Sequence, residues 1–124
     1  MKRIAIMCAA LVALAAPAMA DGDAALGAKV FNKCKTCHEN EKGVNRVGPT
    51  LKGVVGRKTG MVEGFKYSEA MAKKGTEGQV WDDATLASYL KDPKGFIPGN
   101  KMAFPGLKDD ADIANVIAFL KTHP

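Results

Sequence analysis

The stretch FNKCKTCHEN, residues 31–40, sets Cys34, Cys37 and His38 within about one turn of helix. No other segment narrows the possible folds so far. Two thiols and an imidazole this close serve one of three chemistries: half of a zinc site, a dithiol redox switch, or a covalent haem anchor. The remainder of the chain has to discriminate among them.

The third cysteine, Cys8, lies in MKRIAIMCAALVALAAPAMA. Lys2 and Arg3 form a positive start, Ile4 to Ala16 an apolar run, and Pro17 with Ala18-Met19-Ala20 a small-x-small cleavage signal before Asp21. The run is shorter than the roughly 20 residues that span a bilayer. Residues 1–20 therefore read as a signal peptide that is removed, with residues 21–124 forming one domain. Removing 20 of 124 residues leaves 104. It takes away two of the 18 basic residues and none of the 13 acidic ones, so the formal charge falls from +5 to +3. That mild charge suits an acidic protein partner. It gives no case for nucleic acid, which would call for basic clusters with stacking aromatics. No later segment is apolar for long enough to insert stably in a membrane.

An exported chain meets an oxidising periplasm, where Cys34 and Cys37 would form a disulfide unless otherwise consumed. A disulfide closing so small a loop adds little stability. A structural zinc takes four ligands, and the mature chain offers only His123, beside the terminal Pro124, as a further candidate of the usual kinds. A redox dithiol belongs in a βαβ setting, and no run alternates apolar and polar residues long enough to read as a strand. The haem reading explains the spacing. Two thiols one turn apart add across two vinyl groups, and the next residue, His38, supplies a nitrogen to the iron.

The mature methionines are Met61, Met71 and Met102. Met61 follows Gly60 in a turn, and Met71 sits on a helix as a core residue. Met102 lies in FIPGNKMAFPG, bracketed by Pro98, Gly99, Pro105 and Gly106, which let the chain bend sharply and hold there. Ile97 and Phe104 are placed to keep water away. Met102 is the favoured sixth ligand over His123, since a terminal residue frays. Nitrogen plus thioether ligation raises the potential relative to two nitrogens and fills both axial sites, which suits single-electron transfer rather than bond-breaking chemistry.

Helices are expected from Asp23 to about Lys33, with Leu26, Val30 and Phe31 on one face; after Ser68 until Gly75; from Asp82 until Pro93; and after Asp109, with Ile113, Val116, Ile117 and Leu120 on one face. Turn-rich loops join them. Such short helices bury little alone, so a flat apolar macrocycle would complete the centre.

In GAKVFNKCKTCH, VGPTLKGVVGRKTG, GFKYSEA, TLASYLKDPKGFIPGNKMAF and IAFLK, taken in this order from about Gly27 to Lys121, the chain resembles the class I c-type cytochromes. It is most similar to the soluble periplasmic bacterial members of the cytochrome c-two type. The resemblance implies an all-α fold of four to five short helices and long loops around one covalent haem, with the first and last helices crossing. Gly27 and Phe31 would pack near Val116 and Phe119. Pro49 would accept a hydrogen bond from His38, and Tyr89 would donate one to the Met102 sulfur. Arg57, Tyr67, Ser68 and Trp81 would surround a buried propionate. The haem-binding set is thus Cys34, Cys37, His38, Pro49, Arg57, Tyr67, Ser68, Trp81, Tyr89 and Met102, with His38 and Met102 on the iron. Three features depart from the mitochondrial pattern: Met71 replaces an asparagine, Asn100 a threonine, and GTEGQVW is slightly longer.

The implied function is that of a monomeric electron carrier, not an enzyme. It would take electrons from a cytochrome bc-type quinol oxidase and pass them to a reaction centre or terminal oxidase. Lys33, Lys35, Lys94, Lys101 and Lys108 would flank the exposed haem edge and steer docking. The rival readings are a haem peroxidase, for which no distal acid-base histidine is evident, and a gas-binding haem protein with a labile Met102.

Overall fold

The computed structural model describes residues 21–124; the expected signal peptide and Cys8 lie outside the described residues. Five helices follow one another: α1 (Ala24–Phe31), α2 (Glu69–Thr76), α3 (Asp83–Lys91), α4 (Pro93–Phe96) and α5 (Asp110–Lys121). Among the described residues there is no strand. Residues 56–59 run against 79–81 through backbone hydrogen bonds such as Trp81 N to Arg57 O at 2.8 Å, which includes one isolated bridge between Lys58 and Val80. The fold is all-α, as the class I resemblance implies.

Each helix starts where a side chain can satisfy backbone N–H groups that have no partner inside the helix. Asp23, Ser68, Asp82, Asp92 and Asp109 take this position in α1 to α5 respectively. Pro93 ends the run of α3 because it cannot continue an α-helical ladder, and then opens α4, where a missing N–H costs nothing. This four-residue helix was not expected as a separate element.

The first and last helices cross. Gly27 lies so close to α5 that an added Cβ would collide with the backbone of Asn115 and with Phe119. Phe31 packs against Phe119 with tilted rings whose centroids are 5.1 Å apart and is 1% exposed. Burying such a side chain contributes about 1.5–3 kcal/mol. Asp23 N donates to Asn115 Oδ1 at 2.8 Å, which ties the start of α1 to the middle of α5.

The structure corrects the expected face of α1. Its buried residues are Gly27 and Phe31, while Leu26 is 48% exposed. Close crossing needs the residue without a side chain at the contact, and that turns its neighbour Leu26 toward water. Helix α1 also ends at Phe31 rather than Lys33, and residues 32–37 continue as tight turns. Gly75 was expected to end α2 but lies inside it, because Thr59 O presses on that point of the helix and leaves no room for a Cβ. The four expected residues of α5, Ile113, Val116, Ile117 and Leu120, are all buried.

Trp81, Leu86, Tyr89, Ile97 and Leu107 carry the core from this crossing toward the loop that bears Met102. That loop doubles back at Gly99 (φ 88°) and Gly106 (φ 107°), a region of backbone conformation open to glycine at little cost.

Candidate functional site

Cys34, Cys37 and His38 sit in the turns that continue α1. His38 N donates to Cys34 O at 2.9 Å, and Cys37 N to the same oxygen at 3.1 Å. This local winding sets Cys34 on the side of the turn shared by residues three and four positions on, Cys37 and His38. Both thiols are free rather than joined in a disulfide. Burial pushes the Cys34 thiol up from its ordinary value, so it stays protonated.

The His38 Nδ1 lies 2.8 Å from Pro49 O. A carbonyl only accepts, so Nδ1 carries the proton and the neutral ring keeps its lone pair on Nε2. Burial pulls the imidazole below its usual range, while the Pro49 contact acts the other way. Gly48 closes over the ring: a Cβ there would sit inside the imidazole. The glycine is pinned by its N–H, which donates to Cys37 O at 2.8 Å. No feature of the sequence marks this packing, since the contact is made by backbone ten residues away.

The carboxylate of Glu39 organises the loop that carries Pro49. It accepts from the backbone N–H groups of Glu41 (3.1 Å), Lys42 (2.6 Å) and Val44 (3.0 Å), and from Thr50 Oγ1 at 3.0 Å. These donors, the Lys42 N–H foremost, hold its pKa down to about 2. Sequence reasoning missed Glu39 as well, because three of its four partners are main-chain groups.

A second cluster forms around Arg57. One terminal nitrogen donates to Thr50 O at 2.9 Å and Lys52 O at 3.1 Å. Its Nε is buried and has no partner, and burial pulls the guanidinium below its ordinary value. Tyr67 Oη accepts from Val62 N at 3.1 Å. Ser68, 7% exposed, accepts from Met71 N at 3.1 Å as the cap of α2. Each hydroxyl has one proton besides its lone pairs, and neither donates it to any group among the described residues. Arg57 Nε is thus a buried donor without an acceptor, and Tyr67 lies near enough to feel its charge. Trp81 is joined to Arg57 through the backbone and packs at a tilt against Tyr89, with ring centroids 5.0 Å apart.

On the loop at 97–106, Ile97 is fully buried and Met102 half-buried against the core. The Tyr89 hydroxyl lies 3.8 Å from Met102 Sδ and 3.4 Å from Asn100 Oδ1. Burial pushes Tyr89 up to about 12, so it is protonated at any ordinary pH. Asn100 is a further residue whose part in the site was not foreseen. Its amide contacts Pro93, Ile97 and Met102.

The donor set fits a covalent haem. Two unoxidised thiols share a turn with an imidazole whose Nε2 is free. The Arg57 cluster presents what a buried carboxylate requires, because a guanidinium nitrogen buried without a partner is costly. The thioether of Met102 is a soft ligand suited to iron.

Comparison with known proteins points the same way. The family model for Cytochrome c matches residues 24–124. Cytochrome c2 iso-2 of Magnetospirillum fulvum is 58% identical over 92 residues, which cover 74% of this chain and 93% of that protein. Cytochrome c2 of Rhodomicrobium vannielii is 48% identical over 122 residues, 98% of this chain and 94% of that protein. Among solved structures, cytochrome cH from Methylobacterium extorquens superposes with a TM-score of 0.75 at 51% identity, covering 82% of this chain and 99% of its own.

Proposed function

From the premise that this chain belongs to the cytochrome c family and carries haem c, we propose that it is a periplasmic carrier of single electrons, exported by a signal peptide removed after Ala20. When bound, the haem supplies a one-electron iron couple. The protein's own groups do the rest. Cys34 and Cys37 hold the group as thioethers, and His38 offers Nε2 while Pro49 O keeps its ring from turning. Met102 would supply a thioether sulfur to the iron. Arg57 Nε and the hydroxyls of Tyr67 and Ser68 would hold a propionate, with Trp81 beside them. Apolar side chains from Ile97 and Phe104 keep water out, and a drier site favours the form with less charge.

The observation that carries this reading is the His38–Pro49 contact at 2.8 Å beside two free thiols. It leaves one lone pair and two sulfurs unspent in one turn. The donor is proposed to be a cytochrome bc-type quinol oxidase, and the acceptor a reaction centre or terminal oxidase. Support comes from Lys33, Lys35, Lys94, Lys101 and Lys108, which are all exposed. None of the five belongs to an ion pair among the described residues, so their charge is available to an acidic partner.

The test is intact mass and a reduced-minus-oxidised spectrum of the exported protein. The expected result is a chain starting at Asp21 with one covalent haem and a far-red band of thioether-bound ferric iron. Material with no added group, or a band that persists in Met102→Ala, would overturn the assignment.

A further inference from the structure

Asn100 is the most heavily bonded side chain on the loop that leads to Met102. Its Nδ2 donates to Pro93 O at 2.9 Å and to Ile97 O at 2.8 Å. Its Oδ1 accepts from Met102 N at 2.8 Å. Two of these partners can only accept and the third can only donate, so the orientation of the amide is dictated by its surroundings. One rigid planar group therefore spans the distance from α4 to the backbone of Met102.

The same Oδ1 also lies within reach of the Tyr89 hydroxyl. That hydroxyl has a single proton and two acceptors in reach, Oδ1 at 3.4 Å and Met102 Sδ at 3.8 Å. An amide oxygen is a stronger acceptor than a thioether and here it is also nearer.

We infer that Asn100 is the positioning residue for the Met102 ligand: it fixes the ligand's backbone to α4 and offers the Tyr89 hydroxyl a second acceptor beside the sulfur. The inference rests on the proposal that Met102 binds the iron. It reverses the weight that the sequence places on Tyr89, whose contacts with this loop are longer than all three bonds made by the Asn100 amide.

The experiment titrates the ferric, haem-loaded protein with imidazole, which competes with Met102 for the iron, and follows the far-red thioether band. Asn100→Ala should bind imidazole at least tenfold more tightly than the parent. Asn100→Thr keeps an oxygen for the Met102 N–H and should recover most of that difference. Tyr89→Phe should tighten imidazole binding less than Asn100→Ala does. An Asn100→Ala protein within twofold of the parent, a threonine variant no better than alanine, or a Tyr89→Phe variant as loose as Asn100→Ala would each overturn the inference. Should Asn100→Ala fail to mature, hydrogen exchange at the Met102 amide of the parent decides: protection supports the inference, and exchange at an unstructured rate overturns it. A parent with no far-red band gives a different pattern, in which the ligand reading itself falls.

Discussion

Two residues beside the His38 turn show how much of the site is held by main-chain contacts. The Glu39 carboxylate is drawn from its ordinary 4.5 to about 2 by the N–H groups it gathers. A pKa lowered in the folded state gives stability that is complete above the unfolded value. It is lost as pH falls through the folded one. Glu39 should therefore contribute fully at neutral pH and lose its contribution between about 4.5 and 2. Equilibrium unfolding of the haem-loaded protein across this range should show an acid slope that Glu39→Gln flattens, and equal slopes would contradict the assignment. Gly48 offers a steric counterpart. A methyl group there meets a ring already fixed by Pro49, so Gly48→Ala should cost about 1–3 kcal/mol, the usual penalty of overpacking. The denaturant midpoint measures it, and an unchanged midpoint would mean that the ring can yield.

Among the elements, α1 and α5 depend on one absent side chain. Gly27→Ala forces the two backbones apart and should destabilise by about 1–3 kcal/mol. Leu26→Ala, one residue earlier but facing water, should stay within about 0.5 kcal/mol of the parent. Thermal unfolding of the pair tests the assignment, because the sequence alone suggests the opposite ranking. That reversal shows what sequence can and cannot convey. Cys34, Cys37 and His38 announce their chemistry by spacing, and α5 announces its buried face because twelve residues are enough to phase a 3.6-residue period. Eight residues in α1 are not, and the glycine at the contact carries no hydrophobic signal. Helix α4 is a single turn behind a proline and has no period to detect. Gly48, Glu39 and Asn100 stayed hidden for another reason. Most of their partners are backbone groups, and pairing with the main chain leaves no signature in residue type. Asn100 was legible only as a departure from a pattern, and its function needed the positions of Pro93 and Ile97.

At the scale of the molecule, charge is divided between internal use and display. Lys91, Lys121 and Lys74 are paired with Asp110, Asp83 and Glu77. Lys108 donates to the carbonyls of Lys91 and Pro105, which fixes its position without neutralising it. Lys33, Lys35, Lys94 and Lys101 are unpaired among the described residues. Electron exchange with an anionic oxidant such as hexacyanoferrate should slow as salt rises, and exchange with a cationic cobalt complex should quicken. Replacing Lys35 and Lys101 by glutamate should reduce the first rate several-fold at low salt. Rates that ignore ionic strength would remove these lysines from the docking surface.

The pairing of α1 with α5 has a consequence for the order of events in the cell. A polypeptide delivered from its N-terminus exposes Cys34 and Cys37 some eighty residues before the surface that covers α1 arrives. Throughout that interval the sulfurs lie on an open chain. An enzyme that joins them to their prosthetic group can reach them without first prising apart a finished globule.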